Sequence, residues 1–326
     1  MRHCQIYGRK SKQGCKHDNL EKNSTWHHSL PFCVGCLLGI VYVYADSIKV
    51  DVKEGYNQKI ETGGDLESKY LLGGDLKVKK LTFKEGKPIR KVSVFYPEDL
   101  ETSGKKYPMI LIMNGTGGKT TKYEPVFRMY ASWGFIVVGT QDKGTGTGKT
   151  TVKVLNDMLA LNKDSGSVFY NRIDTENIGL TGFSQGGAGV FNVLTKYDEG
   201  KMIKAAVPLS PASETLSALT TDYAYDSSLV ECPIMILCGT EGEFETEIVI
   251  PLEELVKQYD KITSPKVMAR RTGMDHDKMM SHAGGYVMAW FRWLLQGDED
   301  AAKVFTGASP ELLSNTAYQD QSISLE

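Results

Sequence analysis

Cysteine and histidine are scarce over most of this sequence. Of six cysteines and six histidines in 326 residues, four of each fall within the first 45 positions, which leaves Cys232, Cys238, His276 and His282. The two remaining cysteines lie near opposite ends of one expected strand. At about 3.3 Å per residue they are too far apart to bond, so the body is not held by a disulfide. An excess of one charge is missing too. The first 45 residues carry six Lys/Arg against Asp18 and Glu21, and removing them from the totals of 38 and 40 leaves 32 basic and 38 acidic residues. That mildly acidic body gives no electrostatic reason to expect nucleic acid. Beyond residue 46 there is no internal repeat, low-complexity tract or linker. The apolar run Phe32 to Ala45 is shorter than the roughly 20 residues of a membrane span.

That run follows a basic segment and ends Val43-Tyr44-Ala45 before Asp46. This is the order of an export signal, so residues 1–45 read as a leader: a signal peptide first, an uncleaved N-terminal anchor second. A zinc module is the third reading, because Cys33-x-x-Cys36 joins Cys4, Cys15, His17, His27 and His28. It is disfavoured, since the second cysteine runs straight into Leu37-Leu38-Gly39-Ile40-Val41 with no room for a knuckle. Export is the expected localisation, with a membrane-anchored or cytoplasmic chain as the alternative. A membrane is a partner only if the apolar segment stays uncleaved.

The stretch around which the body is organised is Asn177-Ile178-Gly179-Leu180-Thr181-Gly182-Phe183-Ser184-Gln185-Gly186-Gly187. A short apolar strand leads into Gly182-Phe183-Ser184-Gln185-Gly186, the pattern G-x-S-x-G of a nucleophile elbow. A chain that turns from strand to helix within one residue approaches itself closely, and a Cβ at either flank would clash. The pattern alone also fits a plain helix N-cap at Ser184. What separates the two is whether the chain supplies a base and an acid.

Expected strands are Ser47 to Val52, Leu76 to Phe83, Val92 to Tyr96, Met109 to Met113, Phe135 to Val138, Ile178 to Thr181, Ala205 to Leu209, Pro233 to Leu237 and Lys266 to Ala269. Expected helices cover Thr151 to Leu161, 246–259 and 279–295. The first strands look like an antiparallel opening. Alternation from Tyr107 onward implies a mostly parallel sheet with helices on both faces, in one α/β domain over 46–326 whose polar tail frays at its end.

Two glycine-rich loops, Gly115 to Thr120 and Gly144 to Thr150, end in Gly-Lys-Thr like a nucleotide-binding P-loop. That motif needs four residues between its first glycine and the Gly-Lys pair, to wrap backbone N–H groups around phosphates. These loops have two and three, so nucleotide binding is disfavoured.

A serine nucleophile needs a general base. His276, in the loop after the strand that starts at Lys266, can reach the elbow from the carboxyl end of the sheet. His282, three residues into the next helix, is the second candidate. The orienting acid should follow the preceding strand, giving the chain order Ser, acid, His. That loop offers Glu241, Glu243 and Glu245 and no aspartate. Glu243 is the first choice and Glu241 the second; Glu245 is read as a carboxylate favouring a helix N-terminus. The oxyanion donors would be the backbone N–H groups of Gln185, after the nucleophile, and Thr116, in the loop Asn114 to Gly118.

With these residues in view, the chain resembles bacterial cutinases and polyester hydrolases, in the dienelactone-hydrolase-like branch of the α/β-hydrolase fold. The likeness is carried by Asn171 to Gly179 leading into the elbow, by Lys204 to Pro211, by Gly134 to Val138 and by Ala289 to Leu294, and covers roughly 105–305. The resemblance implies a lidless carboxylic-ester hydrolase with neither cofactor nor metal. It carries the triad onto Ser184, Glu243 and His276, since in those enzymes the acid sits four residues after a glycine that ends its strand, as Glu243 does after Gly239. Three departures stand out. Glutamate replaces the usual aspartate, Thr116 stands where an aromatic residue flanks the oxyanion hole, and Ala212 stands where those enzymes carry a tryptophan. The last two remove an aromatic platform for polymer rings; simple ester hydrolysis does not depend on it. The expected function is therefore serine ester hydrolysis on small or exposed esters, extending to polyester-like ones. A catalytically silent binding protein of the same fold and a nucleotide-binding protein are the alternatives.

Overall fold

The computed structural model describes residues 51–219 and 222–326. The expected leader with its zinc reading, and most of the expected strand Ser47 to Val52, lie outside these residues. Nine strands form one sheet in the order β1-β2-β4-β3-β5-β6-β7-β8-β9. They are β1 (Val78–Lys84), β2 (Lys91–Pro97), β3 (Tyr107–Met113), β4 (Ile136–Thr140), β5 (Ile173–Phe183), β6 (Ile203–Leu209), β7 (Ile234–Glu241), β8 (Lys266–Asp275) and β9 (Tyr318–Ser324). Strands β3 to β8 pair in parallel, while β1, β2 and β9 join antiparallel at the two edges. The main helices are α1 (Asp65–Leu72), α2 (Glu124–Ser132), α3 (Lys149–Lys163), α4 (Gln185–Lys196), α5 (Leu252–Lys261) and α6 (Gly284–Gln296).

Both faces of the sheet are covered, which is why β3 reads as an unbroken apolar run and is buried at all seven positions. On one face Ile110, Ile112, Val207 and Leu237 join Tyr70 of α1, Phe127 of α2 and Trp290 of α6 in a single core. On the other, Met113 meets α4, where a Cβ on Gly189 would overlap its methyl group. This is the mostly parallel architecture, with an antiparallel start, that the residue pattern and the α/β-hydrolase resemblance imply.

Several expected boundaries are corrected. Strand β7 runs to Glu241 rather than Leu237, and β8 to Asp275 rather than Ala269, because the two keep pairing past the body of the sheet. The helix expected over 246–259 is divided. A π-helical turn, Phe244–Val249, precedes Pro251, and α5 starts after that proline, whose ring cannot continue a helix interior. The helix expected over 279–295 breaks into Met279–His282 and α6 at Ala283. Helices α1 and α2 lie outside the helices the sequence pattern implies.

The polar tail does not fray: residues 318–324 are an edge strand on β8. An edge strand tolerates the polar sequence Tyr-Gln-Asp-Gln-Ser-Ile-Ser because one side has no partner to bury it. A buried ion pair locks this edge. Arg271 of β8 pairs with Glu67 of α1, and Glu67 also accepts from Gly63 N (3.0 Å) and Asn315 Nδ2 (2.8 Å). Glu311 accepts from the first N–H groups of α1 at Leu66 (2.7 Å) and Glu67 (2.8 Å), using the positive helix end. Breaking such a buried pair typically costs about 3–5 kcal/mol.

Candidate active site

Strand β5 ends at Phe183, and Ser184 turns the chain into α4 with φ 58° and ψ −121°. A non-glycine residue is held there only when its surroundings over-determine it. Those surroundings are close. Ser184 N donates to Leu209 O (2.9 Å), while its carbonyl accepts from Ala188 N (3.1 Å) and Ala212 N (3.2 Å). A Cβ on Gly182 would overlap the Gly186 carbonyl, and one on Gly186 would lie 2.5 Å from Met113 O. Only glycine fits at either flank.

His276 opens a 3₁₀ turn directly after β8 and is buried at 1% exposure. Its N–H donates to Asp275 Oδ1 at 2.6 Å. Its ring packs on Phe183, the residue before the serine, with centroids 4.6 Å apart, and meets the edge of Phe244 at 5.0 Å. Imidazole and elbow are thus brought to the same end of the sheet. His282 ends the short helix Met279–His282, with Nδ1 at 3.0 Å from Ser281 Oγ and 3.1 Å from the Lys278 carbonyl. Burial first, then the charge of Arg271, lowers its pKa.

The carboxylate beside the imidazole is Glu245, not Glu243. Glu245 Oε2 lies 2.5 Å from His276 Nδ1, with both side chains buried. Its Oε1 accepts from Gly239 N and from Ser210 Oγ, each at 2.6 Å. Burial pushes the carboxyl pKa up, but the bond to His276, the imidazole's charge, and the Ser210 and Gly239 donors outweigh it, leaving the pKa below the ordinary glutamate value. Glu243 is exposed at the N-cap position of the π-helical turn, without a capping side-chain bond; Glu241 is exposed at the end of β7. The physical reason is the extra length of β7. Its pairing carries the chain past Gly239 to Glu241, Gly242 reverses it with φ +80°, and the following turn swings Glu245 back over Gly239. A Cβ on Gly239 would overlap Met274 O and sit 3.4 Å from Glu245 Cγ, so that glycine lets the acid approach. Glu245 does lie in a first helical turn, as expected of a dipole-facing carboxylate. What that reading missed is its burial, which the flanking Phe244 and Val249 could have signalled.

Gln185 follows the serine, and Thr116 lies in the loop whose Gly115 approaches it. The Gln185 N–H is the first of α4, among the four that have no acceptor within a helix, at its positive end. Thr116 sits in a turn closed by Gly118 N to Gly115 O (2.9 Å), with Gly117 at φ +70°. Gly115 presses on the elbow, for a Cβ there would be 2.9 Å from the Phe183 ring and 3.2 Å from Ser184 Cβ. Asn114 pins the loop, its side chain donating to Thr140 O (2.9 Å) and Asp142 O (2.8 Å) while its carbonyl accepts from Thr145 Oγ1 (2.6 Å). The two glycine-rich loops are therefore tied to each other. Asn192 of α4 holds the second through Gly146 O (2.8 Å).

With this geometry in place, a family comparison decides the affiliation. Residues 74–322 match the model of the PET hydrolase-like family. The chain belongs to that family. Cutinase est2 and Cutinase est1, both of Thermobifida alba, are each 28% identical to it over 124 residues, covering 36% of this chain and 38% of theirs. The chain is thus matched over about two-fifths of the length of these curated relatives. Membership in the PET hydrolase-like family accords with the α/β-hydrolase fold and its elbow. Among the described residues no helix is long and apolar enough to cross a membrane.

Proposed function

We propose that this PET hydrolase-like chain is a serine carboxylic-ester hydrolase that works through an acyl-enzyme. The observation that carries the reading is the buried His276–Glu245 pair packed against the residue that precedes the elbow serine. In this mechanism Ser184 Oγ attacks the ester carbonyl carbon while His276 takes its proton. The tetrahedral oxyanion is received by the N–H groups of Gln185 and Thr116. The carbonyl re-forms, the alcohol leaves with the proton from His276, and water then releases the acid by the reverse sequence. Glu245 holds the imidazole in one tautomer and balances its charge when protonated.

The names of the family and of the cutinase relatives support ester substrates. The half-buried Ala212, bonded to the serine carbonyl, and the half-buried Thr116, next to Gly115 at the elbow, favour small or exposed esters over aromatic polymers, because neither offers a ring face for stacking. Turnover of p-nitrophenyl butyrate tests the reading, with a fluorophosphonate labelling Ser184 and Ser184→Ala reducing turnover by several orders of magnitude. Label on another residue, or no turnover by the folded chain, would leave a binding protein of the same fold. A shift in melting temperature with nucleotide would favour the third reading.

A further inference from the structure

We infer that Ser210 is a positioning residue of this site, whose hydroxyl orients the Glu245 carboxylate toward His276. The inference rests on the proposed hydrolase reading and extends it by one residue.

Ser210 is the first residue beyond β6 and is fully buried. It is one of five described non-glycine residues with positive φ, at 40°. Glycine would occupy such a backbone without strain, so a side chain retained there points to a use for that side chain. Its N–H donates to Leu237 O at 2.8 Å, which continues the β6–β7 pairing and fixes the backbone at the base of the acid loop. Its hydroxyl donates to Glu245 Oε1 at 2.6 Å.

The need for that donor follows from the acid's construction. Glutamate reaches His276 from a π-helical turn through three rotatable bonds, whereas an aspartate would have two. A buried carboxylate accepts only, and both of its oxygens must be filled to stay ionised away from water. Oε2 meets His276; Oε1 meets Gly239 N and Ser210 Oγ. Of these three donors, the imidazole is the group being oriented and the Gly239 N–H is backbone. Ser210 is therefore the side chain that sets the rotation of the carboxylate plane. Glu245 faces the imidazole directly, and Asp275 stands beside it in the chain, its Oδ1 accepting from the His276 backbone N–H at 2.6 Å.

The experiment compares Ser210→Ala and Ser210→Gly with the parent on p-nitrophenyl butyrate across pH. Loss of a hydrogen bond to a charged group predicts a fall in kcat of about 10- to 100-fold in both variants, with KM changed less than about twofold. The acidic limb of kcat/KM should move to higher pH, because a carboxylate stripped of one donor holds the imidazolium proton more tightly. Gly and Ala must behave alike although glycine relaxes the backbone, and the glycine variant keeps the test open should the alanine variant fail to fold. A glycine variant with parental kcat and limb would assign Ser210 a backbone role only and overturn the inference. A change in KM alone would do the same. A parent without turnover would instead sink the hydrolase reading beneath it.

Discussion

The nucleophile elbow and the acid loop lie at the same end of the sheet but are specified in different ways. At the elbow the constraint is local. Gly182, Ser184 and Gly186 fall within five residues, and backbone overlap alone dictates two of the three. In the acid loop the constraint is remote. Which of three glutamates turns inward depends on how far β7 pairs with β8, on the reversal at Gly242 and on a π-helical turn. Local sterics leave a mark in the letters, whereas the length of a ladder between strands distant in sequence does not.

The largest expected effect separates the glutamates. Glu245→Gln keeps the shape but leaves the imidazole with an amide in place of a charge, and should lower kcat roughly 10³- to 10⁴-fold. Glu243→Gln, at an exposed cap, should stay within about twofold. A Glu245→Gln variant within about twofold of the parent, as Glu243→Gln should be, would mean that the imidazole does not need Glu245 and that another glutamate of the loop can serve.

This contrast also measures how much was legible. The elbow pattern, the scarcity of histidine and the order of elements single out Ser184 and His276, and the structure brings the His276 ring against Phe183, next to Ser184. The alternation after Tyr107 gave the parallel sheet. The spacing that the resemblance carries, four residues after a glycine that ends its strand, points to Glu243, whereas the carboxylate beside His276 is Glu245, because β7 does not end at Gly239 and its pairing continues to Glu241. Helix α1 was hidden for a related reason: its stability rests on Glu311 and Arg271, more than 200 residues away, rather than on its own eight residues. The polar tail reads as fraying at its end because an edge strand such as β9 has no need of apolar residues on both sides.

The next effect sharpens the comparison through glycine. Gly182→Ala places a Cβ into the Gly186 carbonyl, so the elbow backbone must shift, at about 3 kcal/mol of stability. Gly242→Ala meets Asp275 Oδ1 at 2.5 Å and imposes a left-handed residue costing about 1–2 kcal/mol. Because the obstacle is a side chain that can rotate, the fold should survive while the tilted acid loop loses about tenfold in kcat. Thermal melts with kinetics on the same samples check both. A Gly242→Ala variant less stable than Gly182→Ala would reverse the contrast.

The smallest effect concerns acid. The folded pKa of Glu245 lies below its ordinary value, because its contacts with His276, Ser210 and Gly239 outweigh the cost of burial. A carboxyl depressed on folding adds stability above its unfolded pKa, near 4.5, and loses it as pH falls through the folded value. Below that point the carboxyl is protonated in both states and the contribution is gone. Each tenfold difference in proton affinity between the states is worth about 1.4 kcal/mol, so the change is modest beside total stability. Glu245→Gln cannot titrate and serves as the reference. Between pH 5 and pH 3 the melting temperature of the parent should fall more steeply than that of the variant, narrowing whatever gap separates them at neutral pH. Elbow variants such as Ser184→Ala introduce no such difference and should track the parent throughout. A gap between parent and Glu245→Gln that widens on acidification would mean that protonation favours the buried site, and that its donors do not hold an ionised carboxylate.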